Sequence, residues 1–399
     1  MEPDSIPGDI GRFMREYYFP EVIGGLSSID DNVLNDISDK VAQRIMEGKR
    51  IFAFGNGGSE AIAEGFIHTL EQRIYHCKFD AYCNPGLRRV PDAEFNLLFD
   101  RRIKTSGRSG DLAILISASG NSENILNASA LCSGLGIESL LLSGNGAIAG
   151  KSDYPVVLQI HDQQILEDVI LGFLYIVSDV VEQKVIGLRY DVAQIKEKYT
   201  TDFDRATKKL DYILIWNLAQ DILRAYKEGL QVRIDAPDSG LLSANAGHMQ
   251  HNLKWDAFQN VVPRLPNRVL SGLPTYHFSG VSNDGGEDFN YAIEIEDNCV
   301  HGDVEVVFAR DLNSKSVQTL LQAAKKKGMS AHTFGQNYES SYIASNICQS
   351  VLHLTSRVIN AHLLSEKTSY ADFELRLRQD LALLRQKNQT QRRLEATYK

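Results

Sequence analysis

Cysteine is scarce and badly placed for cross-linking. The five cysteines lie at 77, 83, 132, 299 and 348. Their number is odd, their spacing wide, and no Cys-x-x-Cys pair occurs, so the reading is reduced thiols and no cysteine zinc site. Positive charge is also short, with 42 Lys and Arg against 51 Asp and Glu and a formal net charge of −9. That balance argues against an extended nucleic-acid face. No run reaches 18 consecutive apolar residues, so no membrane span is expected. The start, MEPDSIPGDIGRFM, is acidic without an apolar core, and is not expected to be a signal peptide. A cytoplasmic protein without membrane or nucleic-acid partners is the expectation. The pattern G-x-x-x-x-G-K-[ST] is missing as well, so a nucleoside triphosphate is not implied.

What the chain does have is a repeating grammar. Its 399 residues suit two or three domains at roughly 150 residues each. Residues 9–48 read as helices, with Ser28 ahead of an acidic periodic stretch and Gly48 placed to stop it. An apolar run at 51–54 then meets a glycine-rich turn and a helical pattern. The same strand, loop and helix recur at 111–116, 117–122 and from about 123. IESLLLSGNG and PVVLQI add strands, and 162–186 reads as a long apolar helix. Alternating strands and helices indicate a parallel sheet covered on both faces. Later, LQVRIDAPDSG reads as strand and turn, and SANAGHMQHNLKW as a helix. The pairs Gly110 and Gly302, Gly136 and Gly328, and Asn121-Ser122 and Asn313-Ser314 are each separated by 192 residues. The segment at 302–335 therefore reads as an internal repeat of the one at 110–143. The long apolar helices at 162–186 and 341–363 are expected to pack between modules or subunits. The expected division is 1–195, 196–365 and a charged helical tail at 366–399.

The motifs G-N-G-G-S at 55–59 and S-A-S-G-N-S at 117–122, the latter behind a Gly-Asp strand, resemble the sugar isomerase (SIS) domain. Within it they most resemble the phosphoheptose isomerases. The likeness covers about 35–187 and, more weakly, about 210–362, where V-S-N-D at 281–284 precedes a second Gly-Asp strand. The tandem arrangement also resembles the isomerase part of glucosamine-6-phosphate synthase. The resemblance implies an α/β protein of two tandem SIS-type three-layer sandwiches with parallel, flavodoxin-like sheets.

On the residues alone, glycines at 55, 57 and 58 allow close backbone approach, and Ser59 opens a helix whose N–H groups favour an anion. Ser117, Ser119 and Ser122 stand at a second helix start, so hydroxyls and amides can hold a phosphate without a cation. The bland alternative is that these serines are helix caps. The expected phosphate or substrate contacts are Asn56, Gly57, Gly58, Ser59, Ser117, Ala118, Ser119, Ser122 and Asn283. The second half has D-S-G-L-L at 238–242 and A-R-D-L-N-S at 309–314 instead. Its acidic and bulky residues predict a lost phosphate cradle.

The resemblance places the family's remaining site residues in the second half. The helical histidine and the glutamate four residues on fall at His248 and Asn252, and at Gly65 and Thr69 in the first half. The last-helix glutamine and histidine fall at Ser345 and His353, and at Leu166 and Leu174 in the first half. The Asn-Asp pair is Asn283-Asp284. The expected catalytic residues are His353, His248, Asn252 and Asp284, in a composite site between the halves. The implied reaction is aldose–ketose isomerisation of sedoheptulose 7-phosphate, which needs a base at C1–C2 and an acid at the carbonyl oxygen. Asn252 is an amide and cannot take a proton, so His353 is the candidate base. His248, His251, Glu71, Glu167 and Asp284 are candidates for the second group. No cofactor is expected; zinc on His248 and His353 is a weaker alternative, two imidazoles being few for that metal. A homodimer or larger homo-oligomer is expected. The other function weighed is a non-catalytic sugar-phosphate-binding, regulatory or assembly protein on the same fold.

Overall fold

The structure is a computed structural model and describes residues 8–74, 81–82, 95–146, 148, 151–237, 240–253, 269–271, 290–335, 338 and 340–365. Helices open the chain: α1 (Gly8–Phe13), a π-helical turn (Met14–Tyr18), α2 (Phe19–Ser27) and α3 (Asp31–Met46). The start of α3 lies slightly later than Ser28 suggests. Asp30 is its cap, accepting from the Asn32 N–H at 2.7 Å, while Ser28 closes α2. A carboxylate there satisfies free amides and suits the positive end of the helix.

Five parallel strands form the first sheet. They are β1 (Ile51–Phe54), β2 (Ala81–Tyr82), β3 (Leu112–Ser117), β4 (Glu138–Ser143) and β5 (Tyr154–Val157), in the order β2-β1-β3-β4-β5. This is the 2-1-3-4-5 order of flavodoxin-like sheets. The helices among them are α4 (Gly58–Arg73), α5 (Asp100–Ser106), α6 (Glu123–Leu135) and α7 (Gln163–Val185). Side chains of a strand alternate between faces. Accordingly Ile51, Ala53, Leu112 and Ile114 join one core, and Phe52, Phe54, Ala113 and Leu115 a second, beneath α5 and α6.

Two helices, α8 (Val192–Lys209) and α9 (Tyr212–Glu228), lead to the second sheet. Its strands are β6 (Val232–Asp235), β7 (Val269–Ser271), β8 (Val304–Phe308) and β9 (Ser330–Phe334), in the order β7-β6-β8-β9. All pair in parallel. The order repeats the first four positions of the first sheet. The helices here are α10 (Gly240–Asn252), α11 (Asn290–Asn298), α12 (Lys315–Lys327) and α13 (Ser341–Ser365). The division expected at 195 falls inside α8, which packs on α2, α3 and α7 and also on α13. That helix joins the units. The tail at 366–399 lies outside the described residues.

The repeat read at a spacing of 192 has a physical counterpart. Gly136 ends α6 and Gly328 ends α12, both left-handed, with φ of 69° and 73°. Their carbonyls accept from the Gly110 and Gly302 N–H groups at 2.8 and 3.1 Å. Asp111 accepts from the Arg50 and Arg108 amides, and Asp303 from the Gln231 and Val300 amides.

The units diverge on one face of the second sheet. Where the first has Phe52, Phe54 and Ala113, the second has Arg233, Asp235 and Glu305, all buried. Arg233 Nη2 donates to Asp235 at 2.9 Å, and its Nε lies 3.4 Å from Glu305. The opposite faces of both sheets share one core through α4, α7, α10 and α13. The two long apolar helices, α7 and α13, thus pack at the seam between the units, and residues 165–178 of α7 are buried throughout.

Candidate active site

Two loops leave the carboxyl ends of the adjacent strands β1 and β3, where open α/β sheets place ligands. Gly57, with φ 55° and ψ −119°, turns the first loop into α4, a conformation that strains any residue with a Cβ. Ser59 is buried, and its Oγ accepts from the Ala118 N–H at 3.4 Å. Asn56 and Asn124 exchange two side-chain hydrogen bonds of 2.9 Å. These contacts tie the two loops into one unit. Ser117 Oγ donates to Ser122 Oγ at 3.0 Å, and Ser119 is exposed, its Oγ accepting from the Asn121 N–H at 3.3 Å.

The helix-cap alternative does not describe Ser122, which opens α6 without a side-chain cap. It does describe the matching Ser314, whose hydroxyl accepts from the Val317 N–H at 3.4 Å and caps α12. In that loop Asp311 accepts from the Asn313 N–H at 2.8 Å. A serine that caps uses its hydroxyl on its own helix, and a neighbouring carboxylate repels an anion.

The histidines of the second half meet a carboxylate of the first. Glu167 on α7, His248 on α10 and His353 on α13 are buried, at 4%, 1% and 0% exposure. His353 Nε2 lies 3.2 Å and His248 Nε2 3.6 Å from Glu167 Oε2, and the two imidazoles meet edge to face at 5.0 Å. The glycine-rich loop abuts this cluster. A Cβ built at Gly58 would stand 2.5 Å from His248 Nε2 and 2.6 Å from Glu167 Oε2.

Behind His353 stands Asp168, with its Oδ1 2.9 Å from Nδ1. Gln349 donates to Asp168 Oδ1 at 3.1 Å; Tyr18 and Ser350 donate to Oδ2 at 2.8 and 2.5 Å.

These contacts set the charges. Burial alone disfavours a charged His353, but Asp168 and then Glu167 outweigh it and raise the imidazole to about 9. Burial likewise opposes an ionised Glu167, yet the contacts with His248 and His353 hold it well below the usual carboxylate range. At neutral pH this gives an imidazolium between two carboxylates. The sequence reading took His353 as a base; beside two carboxylates its charged form is the favoured one.

The other sequence candidates divide. Ser345 does not reach the cluster; it is held by Tyr175 at 2.7 Å and Asn245 at 2.9 Å. Glu71 is exposed. Asn252 ends α10, and the side chains of Asn252 and His251 lie outside the described residues, as do Asn283 and Asp284. Sequence reasoning left Glu167 among the alternatives and missed Asp168 and Tyr18. The available signal was two adjacent carboxylates inside the apolar run ILEDVILGFL, which demand partners from another element. A cavity of ≈ 590 Å³ lies toward the other end of α7, lined among others by Arg73, Asp179, Arg189, Lys198 and Tyr342. It contains none of the residues singled out above.

The cluster also fits a metal by its donors. Glu167, His248 and His353 offer ligand atoms within 4.8 Å of one another. Among the described residues, His248 Nδ1 meets no hydrogen-bond partner, and both Nε2 atoms face only Glu167 Oε2, without a well-formed hydrogen bond. Two imidazoles and one carboxylate form a donor set that zinc accepts, and binding would displace the Nε2 proton of His353.

Two parallel sheets of like order, sharing one core and carrying paired loops at their carboxyl ends, define a tandem α/β protein of two doubly wound units. The SIS domain model matches residues 18–138. The phosphoheptose isomerase of Campylobacter concisus is 30% identical over 159 residues, spanning 37% of this chain and 82% of that protein. The phosphoheptose isomerase of Clostridium acetobutylicum is 26% identical over 170 residues, spanning 40% of this chain and 85% of that one. Whole-chain likeness comes from solved structures. The C-terminal domain of glucosamine-fructose-6-phosphate aminotransferase from Francisella tularensis aligns with a TM-score of 0.51 at 13% identity, over 90% of this chain and 97% of that one. Glucosamine-6-phosphate deaminase from Thermotoga maritima aligns at 0.50 and 10% identity, over 85% and 94%. The chain belongs to the SIS domain family of phosphosugar isomerases, with phosphoheptose isomerases among its relatives. No helix among the described residues is long and apolar enough to cross a membrane.

Proposed function

We propose that the protein interconverts an aldose and a ketose phosphate, a heptose 7-phosphate and sedoheptulose 7-phosphate, at one composite site between its two units. The observation that carries this reading is the Glu167 carboxylate of the first unit lying against two imidazoles of the second, beside the glycine-rich loop. Amides and hydroxyls of 55–59 and 117–122 would hold the phosphate, as the acidic chain offers few alternatives. Glu167 would move the proton between C1 and C2, supplying the carboxylate that Asn252 and Thr69 lack. Its pairing makes it a weak base at rest, so transfer requires a substrate hydroxyl to replace one imidazole contact. His353 would protonate the carbonyl oxygen through Nε2, and His248 would steady the carboxylate. Zinc, when held by Glu167, His248 and His353, would polarise that same oxygen. A homodimer or larger homo-oligomer and a cytoplasmic location belong to the same proposal.

Incubation with sedoheptulose 7-phosphate in deuterated water, with and without added zinc, tests the reading. Aldose product bearing deuterium at C2 is expected, and its loss in Glu167→Gln. Bound phosphosugar with neither product nor deuterium, in both arms, would overturn it. The near-complete enclosure of Glu167, His248 and His353 favours one second reading, a fixed ionic seam in a protein that binds a sugar phosphate without converting it. The same result would support that reading.

A further inference from the structure

The N-terminal segment reaches the heart of the site. The π-helical turn Met14–Tyr18 buries Met14, Tyr17 and Tyr18 together, and such turns are frequent at functional sites. The turn is anchored by Arg357 of α13, whose guanidinium lies 5.6 Å from the Phe13 ring and 5.5 Å from the Tyr18 ring. Arg357 also pairs with Asp162, the residue that caps α7 through the Gln164 and Ile165 amides. Tyr18, Asp168 and His353 thus meet from three separate parts of the chain.

Tyr18 Oη donates to Asp168 Oδ2 at 2.8 Å and stands 3.3 Å from His353 Nδ1. Asp168 Oδ1 faces that same nitrogen at 2.9 Å. We propose that Asp168 and Tyr18 are positioning residues for His353: they hold its ring, keep a proton on Nδ1, and leave Nε2 as the nitrogen that exchanges a proton with substrate. The inference rests on the role given to His353 above. Neither residue touches the Nε2 side, where Glu167 lies. Asp168 accepts the Nδ1 proton, and the Tyr18 hydroxyl fixes the far carboxylate oxygen so that the near one stays aligned. A carboxylate behind a histidine sets which nitrogen is protonated, and replacing it with an amide reverses that preference.

The test uses full-length protein labelled with ¹⁵N-histidine and free of ligand, together with the isomerase assay. In the unsubstituted chain, His353 Nδ1 should carry a slowly exchanging proton with a strongly downfield resonance. Asp168→Asn should abolish that resonance and lower kcat by roughly 10²–10⁴-fold. Tyr18→Phe, which keeps the ring, should shift the resonance upfield and lower kcat about 10-fold while KM stays within about 2-fold. A purely structural role would lower the melting temperature without moving the resonance. An Nδ1 resonance unchanged in Asp168→Asn overturns the proposal, as does a neutral His353 protonated on Nε2 alone. Should Asp168→Asn fail to fold, an unchanged resonance and kcat in Tyr18→Phe overturn it equally. The spectra decide even if the chain proves not to be an isomerase, since that failure appears only in the assay.

Discussion

Replacing Gly58 with alanine adds one methyl group at the point where the two units touch. The new Cβ would lie 2.5 Å from His248 Nε2, 2.6 Å from Glu167 Oε2 and 2.8 Å from Glu167 Cδ. Neither neighbour can retreat freely. His248 is backed by the His353 ring at 5.0 Å, and Glu167 is held by His353 at 3.2 Å. Two effects compete. Alanine favours a helix over glycine by up to about 1 kcal/mol, and less in a first turn. Overpacking a rigid site costs about 1–3 kcal/mol, and prising a buried carboxylate from its imidazoles adds part of the roughly 3–5 kcal/mol that a broken buried pair costs. Packing wins, so Gly58→Ala should lose about 1–3 kcal/mol in urea unfolding. Turnover should fall by about 100-fold, the effect of a misplacement near 1 Å. Gly247→Ala is the control. It sits one residue before His248 on the exposed side of α10, and its Cβ would meet nothing within 4 Å among the described residues. That variant should gain roughly 0.5–1 kcal/mol and keep its activity. If Gly58→Ala were as stable and as active as the unsubstituted chain, the contact between the loop and the cluster would be refuted.

Three further outcomes are expected. Because His353 is raised from 6.5 to about 9, the metal-free protein should draw stability from it fully below its unfolded value and lose that contribution as pH rises through about 9. The contribution is roughly 3 kcal/mol at most. Glu167, held below 4.5, contributes above that value and fades as pH falls through its lowered one; melting against pH in His353→Asn should flatten the alkaline limb. Asp111→Ala and Asp303→Ala each strip two backbone amides of their acceptor. Each should cost about 2–4 kcal/mol in urea unfolding, and a loss below about 0.5 kcal/mol in either would contradict the shared architecture. Ser59→Ala with Ser119→Ala should raise KM for the sugar phosphate about 10-fold, whereas Ser314→Ala should cost about 1 kcal/mol as a lost cap and leave KM unchanged.

Strands β1, β3 and β4 were legible because each is a compact apolar run closed by a turn, whereas the short β2 and β7 were not read, and the strand order was implied only by the family resemblance. The glycines at 136 and 328 marked the same helix end twice. The Arg233, Asp235 and Glu305 group was not legible, because the charges of neighbouring strands pair only once the register is known. The glycine- and serine-rich loops could be read from local sequence, since a loop and its helix are contiguous. The histidine–carboxylate cluster could not. Glu167, His248, His353 and Tyr18 come from four separated segments, and the pairing that raises His353 and lowers Glu167 exists only after α7 and α13 have packed. Reading His353 alone suggested a neutral base, while its two carboxylate neighbours favour its charged form.

The seam between the units also fixes which unit can pair with which. The first unit brings Glu167 and Asp168 to it, and the second brings His248 and His353. Two first units placed face to face would crowd four carboxylates into an apolar core, and two second units would crowd four imidazoles. Only the unlike pairing sets carboxylates against imidazoles. Two units of like topology thus bring unlike groups to one seam.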